Sequence, residues 1–325
     1  MKILLSSSHS YPAQQQIGAG LKPTPHPSSS AYSTFDLLAK GLVELGHEVS
    51  YFLQEGVLLS TEPDMEIVKE PVFDVDINHR MLDSKHLQYW KGVEWKKPFV
   101  ISCHIHPKFA NADWGTPDQS WIYPSRSLAN SLGSERYVFN GVDPEEYIYS
   151  DLKENYFLFM ASMEWDERKG LDTALLLSQK HHIPLVVLGG ARTSERIEKV
   201  TNRCHEFKDV EYLGDIRGSE KAKLLAKAKC LIFPTQLEES FGLSMVEALI
   251  SGTPVICSDK GACPEIITQD VGFVCKDQSD YDRAVELISD IEPYTCRNYV
   301  LDRFHYRKMA EHFVHQYQSE IHRES

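Results

Sequence analysis

The sequence has no apolar run approaching the ~18 residues that a membrane-spanning helix requires. Its opening residues, Met1-Lys2-Ile3-Leu4-Leu5, are too short an apolar stretch for a signal peptide and read as a first strand. Basic residues are in deficit: 34 Lys and Arg stand against 47 Asp and Glu, a net charge of −13. That balance argues against a nucleic-acid binder, which needs a basic face for phosphates. The seven cysteines are scattered, odd in number and without a Cys-x-x-Cys pair. They point to buried free thiols in a reducing compartment, so a soluble, cytoplasmic protein is expected. Internal repeats and long low-complexity tracts are also missing.

What is present is an alternation of strand and helix patterns over 325 residues, enough for about two domains. Lys2 to Ser7 and Glu48 to Leu53 read as strands. Between them, Phe35, Leu38, Leu42 and Leu45 recur at helical spacing, and Gly46 marks the stop. Residues 8–31 form a loop rich in Pro, Ser, Gln and Gly. Further strands are expected at residues 99–103, 120–123, 156–160, 184–188, 231–233 and 254–257. Strands alternating with helices imply an α/β architecture with parallel sheets covered on both faces. The polar, turn-rich stretch 144–155 is a candidate hinge, which divides the chain into residues 1–150 and a second domain from 151. Residues 54–97 resist placement, and Asp74-Val75-Asp76 within them reads as a solvated acidic segment.

The densest chemistry lies in Glu239-Ser240-Phe241-Gly242-Leu243-Ser244-Met245-Val246-Glu247, between two buried-looking strands. A helix beginning near Gly242 offers unpaired N–H groups and a partial positive charge, which suit a phosphate. Glu247, farther along that helix, can accept hydrogen bonds from paired sugar hydroxyls. The layout fits a sugar joined to a phosphate. His104 and His106 follow the strand at 99–103 and would share a side if it continued. No further ligand cluster supports a metal there.

The segment resembles the Glu-x7-Glu signature of family 4 retaining glycosyltransferases of the GT-B fold. The likeness includes Phe241-Gly242-Leu243 and the later Pro264-Glu265. Leu42 to Val49, Val138 to Asp143, Lys169-Gly170 and Leu185 to Gly190 are similar to further family markers, in the same order. The resemblance implies two doubly wound Rossmann-like domains facing each other across a cleft. The first would be an acceptor-side domain. The second, at 151–298, would bind the donor, with a helix at about 299–325 packing back on the first domain.

The resemblance also implies residue roles. Glu239 and His104 would hold the donor sugar, and Lys169 would meet the diphosphate. Glu247 would bind the ribose. Phe241, Gly242, Leu243 and Ser244 would line the phosphate end, and Gly18 and Gly20 would bring backbone close to it. The family's arginine ahead of Lys169 has its counterpart at Ala161-Ser162, so Arg168 is the candidate for the missing charge. The expected activity is transfer of a sugar from a UDP-, GDP- or ADP-sugar to a glycan, lipid-linked or small-molecule acceptor, without cofactor or metal. The acceptor and the donor base stay open. Peripheral membrane contact has no support in the sequence. Two other readings stand beside transfer: a sugar-nucleotide epimerase on the same fold, and a non-catalytic sugar-nucleotide binder.

Overall fold

The structure is a computed structural model that describes residues 1–9, 30–53, 65–82, 84–106 and 117–324. The chain divides into two compact units. One comprises Met1–Val142 with His305–Ser325, and the other Asp143–Phe304. The sequence places these boundaries at 150/151 and 298/299.

The first unit contains β1 (Lys2–Ser7), α1 (Ser30–Glu44), β2 (Glu48–Leu53), β3 (Glu66–Val68), β4 (Ile77–Met81), α2 (Ser84–Lys91), β5 (Phe99–Ser102), β6 (Trp121–Ile122) and α3 (Arg126–Ser131). Its strands form one sheet in the order β3-β2-β1-β4-β5-β6, with every pairing parallel. The second unit contains β7 (Phe157–Met160), α4 (Asp166–Lys169), α5 (Leu171–His181), β8 (Leu185–Leu188), α6 (Ser194–His205), β9 (Val210–Gly214), α7 (Gly218–Lys227) and β10 (Cys230–Phe233). It continues with α8 (Leu243–Ile250), β11 (Val255–Ser258), α9 (Cys263–Ile266), β12 (Gly272–Cys275), α10 (Gln278–Leu287) and α11 (Pro293–Arg303). Its sheet runs β12-β11-β10-β7-β8-β9, again parallel. The last helix, α12 (Tyr306–Glu324), belongs to the first unit.

Helices cover both faces of such sheets, so central strands carry continuous apolar runs. Strand β7 is Phe-Leu-Phe-Met and β10 is Cys-Leu-Ile-Phe, and all eight residues are buried. Strand β4 breaks that rule: Asn78, His79 and Arg80 are as buried as its apolar neighbours. Asp74 and Asp76, just before β4, serve the strand edge. Asp74 pairs with Lys2 Nζ at 2.7 Å, and Asp76 accepts from the Lys2 amide at 2.8 Å.

The single helix expected at about 299–325 is instead the end of α11 and the whole of α12. The break falls at Phe304-His305, where the chain passes between units. Phe304 packs in the second unit against Phe241, while Met309, Phe313 and Tyr317 join the core of the first with Phe35, Leu38 and Leu42. Helices α1 and α12 meet closely at Gly41: a Cβ there would lie 2.8 Å from Ala310 Cβ. Tyr306 Oη donates to both Glu44 carboxylate oxygens, at 2.9 and 2.8 Å. His79 is enclosed in the same core, bonded through Nδ1 to Tyr317 Oη (2.7 Å) and through Nε2 to Ser102 Oγ (2.5 Å). Burial, with His104 nearby, holds the His79 imidazole well below its ordinary pKa, so it is neutral.

Two outcomes follow from this core. Gly41→Leu overpacks the α1–α12 contact and is expected to cost about 1–3 kcal/mol. The loss reads as a lower urea midpoint, and an unchanged midpoint removes the contact from the first unit's core. The second outcome concerns acid. Below pH ~6.5 the unfolded chain protonates His79 while the folded chain does not, so stability falls as pH drops from there. The slope from this group reaches at most about 1.4 kcal/mol per pH unit. The check is its imidazole proton resonance, which should not titrate between pH 5 and 8 in the folded protein.

Candidate functional site

In the second unit, strand order reverses between β7 and β10, and ligands of open parallel sheets bind outside the carboxyl ends at such a point. Lys169 ends α4, which follows β7, and Glu239 lies in the loop after β10. Their side chains form a close ion pair, Lys169 Nζ donating to Glu239 Oε2. They are 20% and 14% exposed, so the pair is sheltered but reachable. The residues expected to meet a diphosphate and a sugar are thus adjacent.

Backbone contacts fix this arrangement. Gly170, at φ +84°, closes α4 and opens α5, and a Cβ there would overlap the carbonyl oxygen of Pro234. The turn after β7 therefore rests directly on the chain leaving β10. Gly261, at φ +56°, packs in the same way on the backbone of Glu239. Its amide donates to Glu238 Oε2 at 2.9 Å, and the Ala262 amide donates to Glu239 O at 2.9 Å. Glu239 is thus held from the β11 side as well as by the loop that follows β10.

Helix α8 begins at Gly242, whose N-cap position carries no side-chain hydrogen bond. A Cβ on Gly242 would lie 3.4 Å from Glu239 Cγ, so the helix start adjoins the ion pair. Leu243 and Ser244 form the half-buried first turn. Phe241 is buried, edge-on to Phe304 at 5.8 Å, which anchors the approach to the helix. Pro264 and Glu265 form part of α9, exposed and half-buried respectively.

Glu247 is the most heavily bonded of these residues. Its Oε1 accepts from Tyr147 Oη at 3.0 Å and from Lys221 Nζ at 2.8 Å, and its Oε2 accepts from Lys221 Nζ at 2.8 Å. Burial, then the Glu247 charge, raises the Tyr147 phenol well above its usual pKa, so it remains a donor. A carboxylate has about four lone-pair sites, so Oε2 keeps capacity for a further donor. Nothing in the spacing of Tyr147 or Lys221 announces this role. Both reach Glu247 only through the tertiary fold.

Ser162 and Arg168, the residues singled out ahead of Lys169 in the sequence, both lie at the surface. Ser162 is exposed and makes no side-chain cap bond. Arg168 is exposed, its guanidinium 5.3 Å from the Trp165 ring centre. Arg196 is committed elsewhere: with Arg203 it holds the buried carboxylate of Asp166, and its Nε donates to Met163 O at 2.9 Å. That network fixes α4, and with it Lys169.

In the first unit, β5 ends at Ser102, so His104 and His106 lie in the loop beyond it and strand alternation does not apply. His104 is half-buried, and its Nδ1 is enclosed without a partner among the described residues. Desolvation lowers its pKa to about 4, leaving a neutral imidazole. Among the described residues no His, Cys, Asp or Glu group could hold a metal ion. Nor is any described helix long and apolar enough to cross a membrane. All seven cysteines are free thiols. Gly18 and Gly20 lie outside the described residues.

Comparison with known proteins places these features. Residues 148–294 match the family model of glycosyl transferases group 1. The O-antigen chain mannosyltransferase RfbU of Salmonella typhimurium is 27% identical over 170 residues, covering 50% of this chain and 47% of the relative. The D-rhamnosyltransferase WbpZ of Pseudomonas aeruginosa is 26% identical over 138 residues, covering 42% and 35%. The chain thus spans at most about half the length of these curated relatives. Among solved structures, AviGT4, a glycosyltransferase involved in avilamycin A biosynthesis, superposes with a TM-score of 0.73 at 22% identity, covering 99% of this chain and 98% of AviGT4. Anabaena Alr3699/HepE, in complex with UDP, gives 0.69 at 14% identity, covering 98% and 100%. Residues 148–294 carry the likeness to glycosyl transferases group 1, and the two six-stranded parallel sheets with their flanking helices are those of the GT-B fold.

Proposed function

We propose that this chain is a retaining glycosyltransferase that moves a sugar from a nucleotide-diphosphate donor to a hydroxyl acceptor in glycan or glycoconjugate biosynthesis, in the cytoplasm. The observation that carries the reading is the Lys169–Glu239 pair beside the start of α8, at the point where strand order reverses. The matched family and the mannosyl- and rhamnosyltransferase relatives support the same class of reaction.

In this reading the donor diphosphate takes Lys169 and the first-turn amides of α8 as its positive partners. Glu239, freed from its exclusive bond to Lys169, accepts from hydroxyls of the transferred sugar. Glu247 uses the remaining capacity of Oε2 for a ribose hydroxyl, while Tyr147 and Lys221 fix its orientation. His104, neutral at physiological pH, is available as a hydrogen-bonding group for a substrate hydroxyl. The bond from the anomeric carbon to the diphosphate oxygen breaks, and a bond from the acceptor oxygen to the same face forms. The acceptor proton passes to the departing diphosphate. Fixed positive partners stabilise the charge building on that leaving group. Arg168, beside Lys169, is assigned the supplementary charge.

Two measurements test this. Glu247→Ala should weaken binding of the preferred nucleotide among UDP, GDP and ADP by about 1.5–3 kcal/mol in calorimetry, the worth of hydrogen bonds to a charged group. Unchanged affinity in a folded variant would take Glu247 out of the site. Turnover should also survive exhaustive chelation, because Lys169 and the α8 start supply the charge a divalent ion would otherwise bring. Activity lost to chelator and restored by manganese or magnesium would overturn that assignment.

A further inference from the structure

The α2 side of the first sheet holds several buried donors that lack an acceptor among the described residues. Asn78 and Arg80 stand two residues apart on β4, so their side chains leave the same face. Asn78 is fully buried and Arg80 is 7% exposed. Asn78 Oδ1 accepts from Ser6 Oγ at 2.7 Å, but its Nδ2 is unpartnered. Arg80 Nε and Nη2 are unpartnered too, as is the indole Nε1 of Trp95.

The guanidinium carbon lies 4.2 Å from the ring centres of both Trp90 and Phe99, and 5.7 Å from that of Trp95. Ring faces attract the cation, but they satisfy none of its in-plane N–H donors. Burial lowers its pKa to about 10, which leaves it charged at neutral pH. A buried charge without an opposite charge is costly, and buried donors are normally paired. Packing alone would be served better by an apolar side chain.

Position brings these donors together. Phe99 opens β5 in register with Asn78, and Trp95 lies four residues before it, so the Arg80 guanidinium is folded back toward the amino-terminal edge of the sheet, where Asn78 and Trp95 also lie.

We propose that Arg80, with Asn78 and Trp95, forms a binding site for a small oxyanion, a phosphate monoester or a carboxylate, beside the start of β5 and under Trp90 and Trp95. The planar fork of the guanidinium offers two parallel N–H bonds to such a group. Asn78 Nδ2 and Trp95 Nε1 add neutral donors, which suit a ligand that only accepts. A cation is disfavoured here by the Arg80 charge, and Asn78 Oδ1 already accepts from Ser6 Oγ. The site is built from residues of the first unit alone and does not depend on the transferase reading.

Trp90 and Trp95 make the site observable. The full chain is titrated with inorganic phosphate and, separately, with sodium acetate, at ionic strength held constant with sodium chloride, while tryptophan fluorescence is followed. At least one oxyanion should give a saturable change. Saturation by phosphate alone identifies a phosphate-bearing ligand, saturation by acetate alone a carboxylate-bearing one, and saturation by both the chemistry they share. Arg80→Lys keeps the charge but removes the fork, and should weaken the response at least tenfold. Asn78→Asp keeps the acceptor for Ser6 and puts an internal carboxylate on the same face, so it should abolish the response and raise the melting temperature. No saturable response in the native chain overturns the site. So does an undiminished response in folded Arg80→Lys, which would report binding elsewhere. Should Arg80→Lys not fold, an undiminished response in Asn78→Asp overturns it alone.

Discussion

The second unit depends on backbone meeting backbone with no side chain between. Where the turn at Gly170 rests on Pro234, and where Gly261 rests on Glu239, the loops after β7, β10 and β11 interlock at the carboxyl edge of the sheet. A methyl group at either glycine would push these loops apart, and Lys169 and Glu239 would lose their contact. The placement of this ion pair is therefore fixed by main-chain geometry. The charged side chains need only short reaches, and their low exposure follows from that.

This explains why β7, β8, β10 and β11 of the second unit were legible in sequence, while β9, Val-Glu-Tyr-Leu-Gly, and β12, which opens on Gly272, were missed. Those four strands are short runs of apolar residues, and the turns beside them need glycine, so both leave plain marks. Lys169-Gly170 and the segment from Glu239 to Glu247 are readable because backbone constraint and charge fall within a few residues of each other. Partners drawn from a distance leave no such mark. Tyr147 lies 100 residues from Glu247 and Lys221 lies 26 away, and only folding brings all three together.

The first unit was harder to read, for a definite physical reason. Strand β4 sits at the centre of its sheet yet spells Ile-Asn-His-Arg-Met, and no periodicity of apolar residues betrays a buried strand there. His79 turns toward α1 and α12 and is satisfied by Tyr317 and Ser102. Arg80 turns the other way, under the rings of Trp90 and Phe99. Polar side chains replace aliphatic ones on both faces, each enclosed by aromatic residues. The two-helix break at Phe304-His305 was hidden similarly, because the apolar spacing runs through the break while the faces it serves belong to different cores.

The assignment of α12 to the first unit has a consequence for the order of events during synthesis. Tyr306, Met309, Phe313 and Tyr317 complete a core begun by Ile3, Leu5 and Phe35, some 300 residues earlier. The second unit, by contrast, is continuous from Asp143 to Phe304. On the ribosome the earlier-made part must wait, with part of its apolar surface uncovered, until residues 306–324 emerge. The later-made unit can close first, reversing the usual amino-to-carboxyl sequence of domain folding. A nascent chain stalled before α12 would present the uncovered face of α1 and β5, the surface to which chaperones would be drawn.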